Sequence, residues 1–537
     1  MSDPSSSQPG TGAVTARAGL LRSSALVGSM TMLSRVLGLL RDVVIAATVG
    51  ATAYADAFFV AFKIPNFLRR LFAEGAFAQA FVPVLADYRE QGPHAAVQAL
   101  IHRVSGVLGG TLILVSLLAV LAAPVVAGLF APGFLDDPGK FQATTAMIRI
   151  TFPYLFLISM TGFCGAILNS YGRFAVPAFT PVFLNISLIA AATLAAPWFA
   201  EPVYALAWGV LIAGVVQLLF QLPSLYRLDL VPRPLWDTHH KGVRHILKLM
   251  VPALFGVSVS QINLLLDTVL ASFLPTGSVS WLYYSDRLTE LPLGVFGIAI
   301  ATVILPSLSA HRAGDRSGDF TLTLDWAVRM ILLVAVPAAV ALVLLAQPVL
   351  ITLFQYGALT PHDVKMASFS LQAYSLGLIA FMLIKVLAPG FYARQDMVTP
   401  VRIGICAMVA NMLLNVAFVL PLYFYFDIGH VGLALATSVS AWLNAGLLLR
   451  GLLREGVYRF QSGWMVYLLR LLGATLAMAV VAWYLSPDLA ELQALGWLER
   501  ALQIALACAG GGCAYVLAHL ALGSRLGQLR TPQPVRG

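Results

Sequence analysis

Residues 56–83 read DAFFVAFKIPNFLRRLFAEGAFAQAFVP, an apolar stretch long enough to cross a lipid bilayer that also carries charged side chains. The charged residues are Asp56, Lys63, Arg69, Arg70 and Glu74. Lys63, Arg70 and Glu74 are spaced seven and four residues apart, so they share one face of a helix. A charge at membrane depth costs several kcal/mol unless it meets water, a partner or an ion. The stretch therefore indicates a membrane-spanning helix with one polar face.

The whole chain has the composition of a polytopic membrane protein. Of its 537 residues, 59% are hydrophobic and 11% are charged, whereas a soluble domain is about 25% charged. The net charge of +9 is spread out, without a run of five basic residues, so it does not indicate nucleic-acid binding. The composition predicts an all-α membrane protein.

Apolar stretches separated by turn residues predict about fourteen transmembrane helices. The predicted spans are 24–50, 56–86, 99–128, 143–170, 176–198, 203–225, 245–273, 279–309, 325–353, 366–392, 399–424, 430–452, 464–486 and 499–522. Twenty Lys and Arg residues fall in loops or tails on one side and three, Lys140, Lys365 and Arg500, in loops on the other. The positive-inside rule then places both termini in the cytosol.

An internal repeat divides the predicted spans into two lobes. The Tyr171 to Asn185 pattern recurs from Tyr392 to Asn415, an offset of about six spans, which predicts two six-helix lobes in a V around a central cavity. The predicted organisation is a disordered cytosolic tail (1–22), an N-lobe with spans one to six (23–226), a cytosolic linker (227–244), a C-lobe with spans seven to twelve (245–455), spans thirteen and fourteen (456–523) and a cytosolic tail (524–537).

Charged residues within the spans predict a cationic cavity. Candidate substrate-binding residues are Arg35, Arg41, Asp42, Lys63, Arg69, Arg70, Glu74, Asp286 and Arg287. Their bases outnumber their acids, so an anion is expected to bind there, although mutual neutralisation between helices is the alternative. Arginine binds phosphate oxygens bidentately, which favours a phosphate or diphosphate headgroup.

A second polar group lies in the predicted C-lobe. Asp267, Asn411, Asn415 and Thr437 form a candidate sodium site; the alternative is an Asp267 that is protonated or hydrogen-bonded to an amide. No nucleotide-binding motif or catalytic motif occurs, so we expect no resident cofactor, no nucleotide and no covalent catalysis. A coupling sodium ion or proton, the membrane potential or the substrate gradient is expected to supply the energy.

Several motifs resemble one family. Residues 30–42 (MTMLSRVLGLLRD), the 56–83 stretch, 278–288 (SVSWLYYSDRL) and 385–396 (KVLAPGFYARQD) resemble the MurJ (MviN) family of lipid II flippases, within the multidrug/oligosaccharidyl-lipid/polysaccharide exporter superfamily. Residues 256–261 and 353–357 add to the likeness, which extends over nearly all of the chain.

The resemblance implies a transporter rather than an enzyme. It implies that spans one, two, seven and eight line the cavity, that spans thirteen and fourteen form a groove for a polyprenyl tail, and that the family's functional residues fall on Arg35, Arg41, Arg69, Arg70, Arg287 and Glu74. The implied cargo is undecaprenyl-diphosphate-linked disaccharide pentapeptide, carried across the cell inner membrane by a monomer for peptidoglycan synthesis. Some members have a sodium site, but Asn415 stands where that site has an acid.

Three alternative functions remain at this point. A multidrug or cation antiporter should have an acidic or aromatic cavity, which the arginines argue against. A polyprenyl-phosphate glycosyltransferase would need an acidic metal or nucleotide-sugar site in a sizeable loop, and none is visible. An O-antigen-type lipid flippase fits the composition equally well, and only the motifs argue against it.

Overall fold

A computed structural model describes residues 11–70, 77–297, 300, 304, 306–309 and 317–524. All regular secondary structure in these ranges is helical and no strand occurs, so the all-α prediction is confirmed. The helices of the first half are α1 Thr11–Val49, α2 Ala53–Arg69, α3 Ala78–Gln91, α4 His94–Leu121, α5 Ala123–Phe130, α6 Pro138–Thr151, α7 Tyr154–Ser170, α8 Ala175–Ala190 and α9 Pro202–Tyr226.

The second half continues in the same style. Its helices are α10 Lys241–Ser272, α11 Ser278–Pro292, α12 Ser317–Leu344, α13 Ala346–Phe354, α14 Pro361–Tyr392, α15 Val398–Phe426, α16 Gly429–Arg454, α17 Trp464–Leu485, α18 Leu489–Ala494 and α19 Trp497–Ala521. Proline residues interrupt two of the predicted spans. Pro153 separates α6 from α7, and α11 ends at Pro292, where a π-helical turn over Leu293–Gly297 follows.

Ten helical segments of the described chain are long and apolar enough to cross a membrane. They correspond to predicted spans three to six and nine to fourteen, while the count of fourteen stays a prediction. The four predicted spans outside this group are spans one, two, seven and eight, which the family resemblance places around a cavity. All four carry charged residues, as expected for helices that do not face lipid along their whole circumference.

The chain divides into two compact units. Unit 1 comprises 1–45, 61–127 and 142–257, and unit 2 comprises 46–60, 128–141 and 258–537. The segments 46–60 and 128–141, from the first half of the sequence, thus belong to the unit that contains the second half. The predicted lobe, linker and tail boundaries remain predictions.

The sequence repeat corresponds to equivalent positions in the helices. Tyr171 follows the end of α7 and Tyr392 ends α14, and in each case the next long helix carries a buried asparagine. That asparagine is Asn185 in α8 and Asn415 in α15, and both side chains hydrogen-bond within their own unit. The repeat therefore specifies the same helix–turn–helix segment twice.

Asp56 is a buried, multiply hydrogen-bonded carboxylate of unit 2. It is fully buried and accepts hydrogen bonds from Lys140 Nζ (2.9 Å), the backbone N–H groups of Gly277 (2.8 Å) and Ser280 (3.0 Å), and the Ser280 hydroxyl (2.6 Å). Since Gly277 and Ser280 lie at the start of α11, the carboxylate satisfies N–H groups that no intrahelical partner can reach.

Two of the three basic residues on the sparsely charged side are buried. Lys140 is 5% exposed and pairs with Asp56, and Arg500 is 8% exposed and donates to the backbone carbonyls of Leu495, Gln493 and Gln355. Lys365 is exposed. The positive charge presented to solvent by these three residues is therefore smaller than their number suggests.

Asp325 attaches α17 to α12. Its Oδ1 accepts hydrogen bonds from Trp464 Nε1 (2.7 Å) and Tyr458 Oη (2.8 Å), and its Oδ2 lies 2.8 Å from Arg329 Nε. The Arg329 guanidinium also stacks over the rings of Trp464 and Tyr467. These contacts hold the start of α17, which corresponds to predicted span thirteen, against α12.

The segment between α9 and α10 is attached to α4 by polar contacts. Asp237 Oδ2 accepts from Arg103 Nε at 3.0 Å, and its Oδ1 accepts from the backbone N–H groups of His239 (3.0 Å) and His240 (3.2 Å). These bonds favour the ionised carboxylate, and the His239 bond has the largest effect in lowering the pKa of Asp237.

Candidate functional site

Arg41 is buried and held by side chains of unit 1. Its Nε and Nη2 donate to Asp42 Oδ1 at 2.9 and 2.6 Å, and its Nη1 donates to Asn185 Oδ1 at 3.1 Å. Asn185 in turn donates to the Ser34 carbonyl at 2.9 Å. The sequence placed Arg41 and Asp42 together, and the structure adds Asn185 as the residue that orients the guanidinium.

Arg35 and Arg69 line two neighbouring cavities of unit 1. Arg35 lines a cavity of about 520 Å³ between α1 and α8, and Arg69 lines one of about 610 Å³ among α2, α3, α7, α8 and α9. Both side chains are half-buried. Asn169 contributes to the walls of both cavities, so the two arginines border adjoining spaces.

Lys63 and Arg70, the remaining predicted bases of unit 1, are exposed. Glu74, which the sequence places on the same helical face as Lys63 and Arg70, lies outside the described residues.

Arg287 is oriented by neighbours in unit 2. Its Nη1 lies 2.7 Å from Glu290 Oε2, one turn further along α11, and its guanidinium is 5.0 Å from the centre of the Tyr283 ring. About a third of the Arg287 side chain is exposed (32%). Asp286, next to it in sequence, is half-buried.

The four residues of the candidate sodium site lie together in unit 2. Asn415 Nδ2 donates to Asp267 Oδ1 at 2.9 Å and to Asn411 Oδ1 at 3.0 Å, and Thr437 Oγ1 lies 3.5 Å from Asp267 Oδ2. The asparagine side chains are fully buried.

The Asn415 amide nitrogen points at Asp267 Oδ1 and Asn411 Oδ1, so Asp267 is hydrogen-bonded to a neighbouring amide in this structure. The side-chain oxygen of Asn415 is buried without a hydrogen-bond partner among the described residues, and sodium takes oxygen ligands of this kind. The sodium site stays a prediction, and no transport step is assigned to it.

A family comparison identifies the relatives of the chain. Residues 45–496 match the family described as "Lipid II flippase MurJ". The chain belongs to this family. Accordingly it is a membrane transporter rather than a covalent catalyst, as the sequence predicted.

Curated relatives agree with the family match. A "Probable lipid II flippase MurJ" of Vibrio cholerae is 50% identical over 526 residues, which cover 96% of this chain and 99% of the relative. The "Lipid II flippase MurJ" of Burkholderia cenocepacia is 46% identical over 464 residues, covering 86% of this chain and 89% of the relative.

Solved structures support the same fold. One described as "Lipid II flippase MurJ, inward closed conformation" superposes with a TM-score of 0.76 at 26% identity, covering 93% of this chain and 98% of the other. An inward-facing multidrug transporter of the MATE family has a TM-score of 0.64 at 14% identity, with 81% and 98% covered, and shows the shared fold alone.

Sequence reasoning missed the polar lining of the larger unit 1 cavity. Tyr154, Gln217 and Gln221 line this cavity together with Arg69, and both glutamines are nearly fully buried. A signal was present: two glutamines four residues apart lie in the otherwise apolar span 203–225 and therefore share one helical face. The cavity was predicted from charged residues within the spans, and glutamine is uncharged.

Proposed function

We propose that this chain translocates lipid II, the undecaprenyl-diphosphate-linked disaccharide pentapeptide, from the cytosolic to the periplasmic leaflet of the inner membrane for peptidoglycan synthesis. The observation that carries the proposal is the match of residues 45–496 to the lipid II flippase family. Arginines that line cavities in an apolar helical protein provide the chemistry, because a guanidinium binds diphosphate oxygens through paired hydrogen bonds.

Within this function, the arginines have different parts. Arg35 and Arg69 bind phosphate oxygens directly, since both are half-buried and line cavities. Arg41 contributes positive charge that Asp42 partly offsets. Arg287 exchanges its contact with Glu290 for a phosphate oxygen, and the exposed Lys63 and Arg70 attract the headgroup.

Transport proceeds by alternating access in a monomer, without a resident cofactor, and the lipid tail stays in the bilayer against the two C-terminal helices. Transporters with this fold have been solved in inward-facing and outward-facing conformations. The termini are cytosolic; the excess of basic residues on that side supports this orientation, as does the burial of Lys140 and Arg500 on the other. A coupling sodium ion or proton, the membrane potential or the substrate gradient supplies the energy.

Binding of the purified chain to lipid II, undecaprenyl phosphate and a neutral lipid tests the proposal. Arg35→Ala should weaken lipid II binding at least tenfold and fail to complement a flippase-depleted strain, because each charge-assisted contact contributes about 1.5–3 kcal/mol. Arg454→Ala, at an exposed arginine ending α16, is the matched control and should bind as the unaltered chain does. Equal binding of all three lipids, or full complementation by Arg35→Ala, would refute the proposal.

A further inference from the structure

Unit 1 contains a third cavity, which is apolar and shares no lining residue with the cavities of Arg35 and Arg69. Its volume is about 140 Å³, and it lies among α4, α7 and α10. Every lining side chain except that of Thr111 is a hydrocarbon, a thioether or an aromatic ring. An apolar cavity of about 150 Å³ in another protein stays dry and binds benzene, so a space of this size and chemistry suits a length of hydrocarbon.

The cavity opens on an apolar outer surface. Among its lining residues, Thr111 is exposed, and Val115 and Leu247 are each 36% exposed. α4 is long and apolar enough to cross a membrane, and its Ile113 and Leu114 side chains are more than half exposed, at 54% and 55%. A lipid chain that lies beside α4 can therefore enter the cavity without crossing a polar surface.

α4 and α10 start at the same end of the cavity. A Cβ on Gly242, at the start of α10, would lie 2.6 Å from Leu100 Cδ1, near the start of α4, and the cavity is lined further along both helices. The polar segment 227–240 lies at this end too, since its Asp237 binds Arg103 of α4. This end of the cavity therefore lies towards the membrane surface, where lipid headgroups are.

Exposed bases flank the cavity at this end. Val243 lines the cavity and is followed directly by Arg244. Leu247 also lines it and is followed by Lys248, and both bases are exposed. Consecutive Cα atoms are about 3.8 Å apart, so each base starts beside the cavity wall, and its long side chain can reach the level of the headgroups. α4 contains no acid and α10 contains none before Asp267, so neither helix supplies a carboxylate that would neutralise these bases.

We infer that this cavity binds one acyl chain of an anionic phospholipid whose phosphate lies against Arg244 and Lys248. A zwitterionic phospholipid offers the same chain but carries a cation beside its phosphate, so the two bases disfavour it. Because the bilayer is as apolar as the cavity, the preference between lipids comes from charge, about fivefold for each base (about 1 kcal/mol). The bound lipid holds the start of α10 against α4, and this site does not depend on the proposed function.

Native mass spectrometry of the full chain with phosphatidylglycerol and phosphatidylcholine of identical acyl chains tests the inference. The unaltered chain should prefer phosphatidylglycerol by about tenfold or more. Arg244→Ala/Lys248→Ala should abolish this preference. The matched control is Arg450→Ala/Arg454→Ala, which removes two exposed arginines with the same spacing at the end of α16 and should keep the preference.

A second pair of variants tests the acyl chain. Leu247→Trp should weaken binding of both phospholipids, because the larger side chain fills the opening of the cavity. Leu249→Trp, which is on the same helix but outside the cavity lining, is the control and should bind like the unaltered chain. All the altered side chains are exposed, so the variants are expected to fold.

The inference is overturned if Arg244→Ala/Lys248→Ala keeps the preference for phosphatidylglycerol, or if the two tryptophan variants bind phospholipid equally well. Competition by glycerol 3-phosphate, which has the headgroup charge and no chain, would also overturn it, because the site would then bind phosphate alone. Lipid II binding by the unaltered chain is measured in parallel. Its absence would refute the proposed function without bearing on the phospholipid site.

Discussion

The buried pair of Asp56 and Lys140 provides a quantitative test of the packing in unit 2. Asp56→Asn should destabilise the protein by about 3–5 kcal/mol, the cost typical of removing one partner from a buried ion pair. The geometry explains why asparagine cannot substitute. Each of the two carboxylate oxygens accepts two hydrogen bonds. An asparagine whose amide oxygen faced Ser280 would turn its NH₂ group towards Lys140 and Gly277, which are themselves donors.

The effect is measured by urea denaturation of the detergent-solubilised protein, followed by tryptophan fluorescence, in a double-mutant cycle. Lys140→Met should be similarly destabilising because it leaves the carboxylate buried without its cation. The double variant should lose less than the sum of the two single losses, with a coupling of about 2 kcal/mol or more. The Arg394–Glu455 pair, whose side chains are 25% and 38% exposed, is the control and should couple by less than about 1 kcal/mol.

The reasoning is refuted if both single variants change the free energy of unfolding by less than about 1 kcal/mol, a value typical of exposed pairs. Strict additivity in the double variant would also refute it, because the two residues would then contribute independently.

Three further predictions concern single positions. Gly357 has a φ of +55°, and a Cβ there would lie 2.2 Å from a backbone oxygen of α1. Gly357→Ala should therefore lower the free energy of unfolding by about 2 kcal/mol in the same urea assay. Gly446→Ala, in an open helical position, is the control and should leave it unchanged. Asn415→Asp should make thermal stability higher in sodium than in potassium chloride, by more than in the unaltered chain. The lowered pKa of Asp237 means that its hydrogen bonds persist as the pH falls through the ordinary range of an aspartate and are lost only at more acidic pH. Strong acidification and Asp237→Ala should therefore both increase proteolytic cleavage of residues 227–240, and cleavage unaffected by either would contradict this assignment.

The helical architecture followed from local patterns in the sequence. Apolar length predicted where most helices run, and the observed interruptions fall at Pro153 and Pro292, because apolar length and proline both act over a few residues. The repeat aligns Asn185 with Asn415, and both asparagines are buried in the structure.

The polar contacts were not predictable in the same way. Lys140 was assigned to a loop, yet it is buried against Asp56, 84 residues earlier, because the pairing depends on how distant segments pack. The orientation of Gln221 depends on Thr180, 41 residues away, whose hydroxyl is committed to its own helix. A sequence shows which side chains can donate or accept, whereas tertiary packing determines which of those capacities remain for a ligand.

That distinction bears on how unit 1 could bind a lipid with a charged headgroup. Arg35 and Arg69 can only donate hydrogen bonds, so they suit phosphate oxygens, and each of them lines a cavity. Loss of either arginine should therefore weaken binding of every diphosphate lipid.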